Sequence, residues 1–90
     1  MLSKTIQDAL NEQVRIEAES SQVYLAMAVW AEVKGLEGIS NFMYDQSDEE
    51  REHMLKLMKF LNERGAQATV PSLEAPKKEF GSLMEVFKSI

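Results

Sequence analysis

Glu50 and His53 stand three residues apart in the run Asp48-Glu49-Glu50-Arg51-Glu52-His53. On a helix that spacing stacks the two side chains one turn apart on one face, where a carboxylate and an imidazole can bind a single cation. Read outward at helical spacing, Ile39, Met43, Gln46, Glu50, His53, Leu57 and Leu61 share a stripe, so both polar groups sit where a core is expected. Glu17 interrupts a second apolar face in the same way, the one formed by Ile6, Leu10, Val14, Ser21, Tyr24, Ala28 and Ala31. Charge among apolar side chains is unfavourable unless compensated, and a bound cation is a natural compensation. The chain has no cysteine, so any metal must accept oxygen and nitrogen ligands. One imidazole among carboxylates suits Fe(II) or Mn(II), whereas structural zinc more often recruits Cys or several His.

The elements that must position these groups follow from the breakers. Ser3 is an N-cap, no Pro or Gly occurs from Lys4 to Lys34, and Gly35 is placed as the residue just past a helix end. The pattern predicts a helix over 4–34, about 45 Å long. Its segment Val23 to Ala31 is apolar all round, which predicts cover on every side and more than a two-helix hairpin can give. A second helix is expected over 38–64, closed by Gly65, and the short link makes the two antiparallel neighbours. Glu17 precedes Lys34 by 17 residues and His53 follows Gly38 by 15, so Glu17, Glu50 and His53 share a level within about one turn. A loop over 66–81 carries Pro71 and Pro76, and a helix start over 82–90 has Ser82 and Glu85 as a capping box. The expected fold is all-α: one unit over 1–90, an antiparallel two-helix hairpin with the start of a third helix, completing a four-helix bundle by self-association.

A composition of 44% apolar and 28% charged residues is that of a globular chain rather than a disordered one. The net charge of -5 argues against nucleic acid and anionic membranes as partners and suits a protein that attracts cations. Met1 to Lys4 lacks an apolar signal core and Val23 to Ala31 is too short to span a bilayer, which makes the cytoplasm the expected location. On spacing alone, other readings stay open. Glu50 and His53 also fit a surface pair at a helix edge, Glu17 a buried acid held by an arginine or by Ser21, and Tyr24 simple core packing. Asp45, Asp48 and Glu52 read as solvated, and Glu49 points away from the stripe.

Asn11-Glu12-Gln13, Glu17, Ser20-Ser21, Tyr24-Leu25, Met27 and Glu49-Glu50-Arg51-Glu52-His53-Met54 closely resemble the first two helices of non-haem bacterial ferritins. The resemblance continues through Leu61 to Gly65, the Pro-containing loop, and Ser82-Leu83 with Val86-Phe87. It implies half of a ferritin-like four-helix bundle and a ferroxidase that oxidises Fe(II) with O2 or peroxide and stores the product. By position, it implies that Glu17 ligates the first iron, Glu50 bridges, and His53 binds the first iron through one ring nitrogen. Tyr24 would neighbour the centre and supply an electron, and Glu49 would match an acid at a third, weaker iron position. Haem-bearing cousins place a Met after the bridging Glu; Arg51 stands there, which implies no haem. A full subunit of that family is nearly twice as long, and its later helices supply further ligands. Two expectations follow: two copies assemble, each giving Glu17, Glu50 and His53 to one di-iron site, or the chain is a helical self-assembly fragment that turns over no iron.

Overall fold

The computed structural model describes residues 1–89. Helix α1 spans Lys4–Val33, α2 spans Glu37–Glu63 and α3 spans Leu83–Lys88, with no strand among the described residues. The architecture is the expected all-α one, and α1 and α2 form its antiparallel hairpin. The last residue of the expected helix start, Ile90, lies outside the described residues. No helix among the described residues is long and apolar enough to cross a membrane.

Local chemistry sets the ends. Ser3 Oγ accepts the Ile6 N–H at 3.2 Å and starts α1. At its other end Leu36 N–H reaches Ala31 O at 2.9 Å and Gly35 N–H reaches Glu32 O at 3.0 Å, with Gly35 at φ 77°. That paired closure needs a left-handed residue, which only glycine adopts without strain. Gly65, at φ 83°, closes α2 the same way, with Ala66 N–H on Leu61 O.

The hairpin is packed by two apolar clusters. Near the α1–α2 turn, Met27, Ala28, Trp30, Ala31 and Met43 meet Phe80 and Val86; at the far end, Val14, Ala18, Met54 and Leu61 meet Ala66, Ala68 and Leu73. Burying a side chain the size of Met43 or Leu61 contributes about 1.5–3 kcal/mol. Between the clusters lies a polar waist. There Ser21 Oγ donates to Ser47 O and Ser47 Oγ donates to Ser21 O, both at 2.8 Å.

From Ala66 the chain returns along the hairpin as an extended strap. Asn62 Oδ1 accepts Ala68 N–H at 2.9 Å and Asn11 Oδ1 accepts Thr69 N–H at 2.8 Å, fixing its start. Its end is fixed by Phe80, whose ring meets Trp30 edge-on with centroids 5.7 Å apart. The strap delivers α3 to the turn end, and Ser89 just past it lines a cavity with Tyr24 and Glu50. Val86 is fully buried there, so this short helix is anchored in the core.

One expectation is corrected. Ile6 is about half exposed, at 49%, although it belongs to the face expected to be buried. It lies 11 residues below Glu17, level with a position about 11 residues beyond His53, where α2 has ended. Leu25 and Val29 in the all-round apolar belt are exposed, in keeping with the expectation that one hairpin cannot cover every side of it.

Candidate metal centre

Glu17 on α1 and Glu50 and His53 on α2 meet at the waist of the hairpin. One donor atom from each lies within 4.8 Å of the others. His53 Nδ1 is 3.7 Å from Glu17 Oε2 and 3.7 Å from Glu50 Oε2. These separations are too long for hydrogen bonds. They are close to the spacing of ligands around one ion, since donors about 2.1 Å from a metal lie about 3.0–3.4 Å apart at octahedral or tetrahedral angles. Small torsional changes would therefore close the three groups on a cation, and the donor set fits a carboxylate-rich iron or manganese site.

The electrostatics show how the site exists without a cation. The Glu50 carboxyl is pushed above its ordinary range, chiefly by a hydrogen bond to Glu17, then by burial and by the Glu17 charge. Glu17 is lowered, chiefly by that same hydrogen bond, and then by Gln13 and His53, while burial opposes. The two carboxyl groups thus disfavour each other's charge, and their proton affinities are pushed apart, Glu50 upward and Glu17 downward. Gln13 Nε2 donates to Glu17 Oε1 at 2.9 Å and fixes the carboxylate from behind. Gln13 was missed in the sequence. Its place four residues before Glu17 on the same face was the available signal.

Exposure is uneven across the trio. The Glu17 and Glu50 side chains are 17% and 22% exposed, whereas His53 is 49% exposed. His53 lies on the stripe expected to be buried, yet about half of its side chain stays open to solvent. Tyr24 is half-buried and lines a cavity of about 200 Å³ with Glu50, Met27 and Ser89. Glu49 is exposed and stands outside the trio. Ser21, one conceivable partner for Glu17, is instead engaged with Ser47.

The family description "Ferritin-like domain" matches residues 7–90. The chain is 40% identical over 89 residues to a probable bacterial non-heme ferritin-like protein of Haemophilus influenzae, covering 99% of this chain and 54% of that relative. It is 41% identical over 88 residues to a bacterial non-heme ferritin of Staphylococcus aureus, covering 98% and 53%. Its fold is similar to that of Chlorobium tepidum ferritin, with a TM-score of 0.93 and 38% identity over 99% of this chain and 55% of that one. It is similar also to an open pore ferritin of Archaeoglobus fulgidus, with a TM-score of 0.92 and 35% identity over 99% and 55%. The chain spans about half the length of the curated relatives it matches. A hairpin with an acid–acid–imidazole waist, a full-length crossover strap and this match over nearly every residue place the chain in the ferritin-like domain family.

Proposed function

We propose that this protein binds Fe(II) at Glu17, Glu50 and His53 and takes part in its oxidation for iron storage. The observation that carries the reading is the convergence of these three donors from two helices. Two neighbouring acids that disfavour each other's charge support it, since a cation can satisfy both carboxylates. The ferritin names of the relatives support iron as the cargo. Arg51, exposed and following Glu50, supports a haem-free centre.

Three donors fill half of an octahedral shell or less, so further ligands must come from outside one hairpin. A second copy related by a twofold axis would bring another Glu17, Glu50 and His53, the set that ferritin-like bundles use for two metals. In that arrangement Glu50 bridges, Glu17 and His53 hold the outer positions, and Tyr24 borders the cavity beside Glu50. Two Fe(II) ions release one electron each, and O2 takes up both with two protons to leave as hydrogen peroxide. Glu49 on the exposed side is assigned to a third, weaker iron position. The same reading places the protein in the cytoplasm with iron and O2 or peroxide as its small partners.

The test is an anaerobic Fe(II) titration of the chain, followed by admission of air while the ferric absorbance is recorded. Saturation near one iron per chain with rapid colour supports a rebuilt two-iron site. Weak, unsaturable binding with slow colour refutes it and favours a helical assembly fragment without turnover.

A further inference from the structure

Ser21 and Ser47 form a reciprocal pair across the α1–α2 seam. Each hydroxyl donates to the other residue's backbone carbonyl at 2.8 Å, and the two Oγ atoms lie 3.1 Å apart. Each hydroxyl has one proton, so the two carbonyl bonds use both donors and the Oγ–Oγ contact carries no third bond. Serine in a helix ordinarily bonds back to its own helix, four residues before. Here both hydroxyls turn across instead, although serine is a mediocre helix former. Ser47 is buried, at 5% exposure, so losing either donor leaves a carbonyl without that partner in the seam.

Position gives the pair its meaning. Ser21 is one turn above Glu17, and Ser47 is one turn before Glu50 and two turns before His53, about 4.5 Å and 9 Å along the axis. Each bond joins a short side chain on one helix to the backbone carbonyl of the other, so the pair fixes the axial offset of the helices and not only a rotamer. A slip of either helix by one residue breaks both bonds and moves Glu17 about 1.5 Å relative to Glu50 and His53. The apolar clusters on either side hold this offset less sharply, because Met27, Met43 and Met54 are flexible and repack easily.

We infer that the Ser21–Ser47 pair is a positioning device that sets the register of α1 on α2 and so holds Glu17 at coordinating distance from Glu50 and His53. The inference rests on the metal-site reading for its functional consequence, but the positioning itself exists in the metal-free chain. A built-in control separates it from general stability. Ser40 Oγ donates to the Ala28 carbonyl at 3.0 Å across the same seam, is also buried, and lies ten residues from Glu50.

The experiment compares Ser21→Ala, Ser47→Ala and Ser40→Ala with the unsubstituted chain. Cross-helix nuclear Overhauser contacts between Glu17 and the His53 ring are measured without metal, and anaerobic Co(II) binding is followed by its visible absorption. Loss of those contacts and about tenfold weaker Co(II) binding are expected for Ser21→Ala and Ser47→Ala, in line with groups that orient ligands. Ser40→Ala should keep both at a matching loss of thermal midpoint. Ser21→Thr, whose methyl group has a cavity of about 220 Å³ beside it, should restore both. Unchanged contacts in Ser21→Ala and Ser47→Ala, or an equal loss in Ser40→Ala, would overturn the inference. If the unsubstituted chain binds no Co(II), the metal-site reading fails, while the contacts measured without metal still decide the positioning role.

Discussion

Replacing Glu50 by glutamine should stabilise the metal-free protein while weakening its response to metal. Two full charges at the 4.8 Å limit of the trio's spread repel by about 3.5 kcal/mol at an effective dielectric of about 20. Avoiding that repulsion by protonating a carboxyl of ordinary pKa about 4.3 at pH 7 takes about 3.7 kcal/mol, so the pair is strained by either route. Water reaches both groups, at 17% and 22% exposure, and reduces the recoverable part to about 1 kcal/mol. Glutamine keeps a donor for Glu17 and removes the charge. For a domain of this size about 1 kcal/mol raises the thermal midpoint by about 4–8 °C. The pH dependence has a definite sign. Glu50, raised in the folded state, contributes stability below its unfolded pKa that is lost as pH rises through its folded value; Glu17, lowered, contributes above its unfolded pKa and loses it as pH falls. The gain from Glu50→Gln should therefore be greatest near pH 8 and vanish near pH 4, where Glu50 is protonated in any case. Melts followed by circular dichroism at both pH values, with and without Co(II), make the comparison, and Co(II) should raise the variant's midpoint less than the parent's. A metal-free midpoint lowered at pH 8, or the same shift at both pH values, would refute the reasoning.

His53→Ala should abolish tight Fe(II) binding in an anaerobic titration yet leave helicity and urea stability within about 0.5 kcal/mol, because the imidazole is half exposed. Leu61→Ala should destabilise by about 2–5 kcal/mol in urea unfolding, since Leu61 is fully buried among Val14, Met54 and the first strap residues. Gly35→Ala should cost about 1–2 kcal/mol in the same assay, even though nothing lies near its added Cβ, because at φ 77° the penalty resides in the backbone.

The legible part of this chain is what periodicity and breakers encode. Ser3, Gly35 and Gly65 each carry a local chemical reason for a helix end, and the level of Glu17 with Glu50 and His53 follows from counting along two rods joined by a short turn. The strap was legible only as a non-helix. Its path depends on Asn11 and Asn62, whose side chains accept N–H groups of residues 69 and 68, and an asparagine on a helix surface gives no sign of its distant partner. The serine pair was illegible for a similar reason: Ser21 reads as a hydroxyl within reach of Glu17, and nothing in the spacing singles out Ser47. Their bonds exist only once two helices lie in one register.

Compensation of the acids explains why the site is built across two helices rather than along one. Glu50 and His53 alone would form a pair one turn apart that water could solvate freely. Bringing Glu17 from α1 removes water from two carboxyls, pushing Glu50 above and Glu17 below the ordinary carboxylate range. That arrangement disposes the site toward a divalent ion, whose two charges relieve the strain between the carboxyls. Gln13 restrains Glu17 on the side away from His53, and His53 keeps half its surface open. Phe42 and Phe60, on the same helical stripe as His53, are 49% and 38% exposed, and further helices approaching this face would bury them. Covering these rings and supplying the remaining ligands are then one event, so metal affinity and association through this face should rise together.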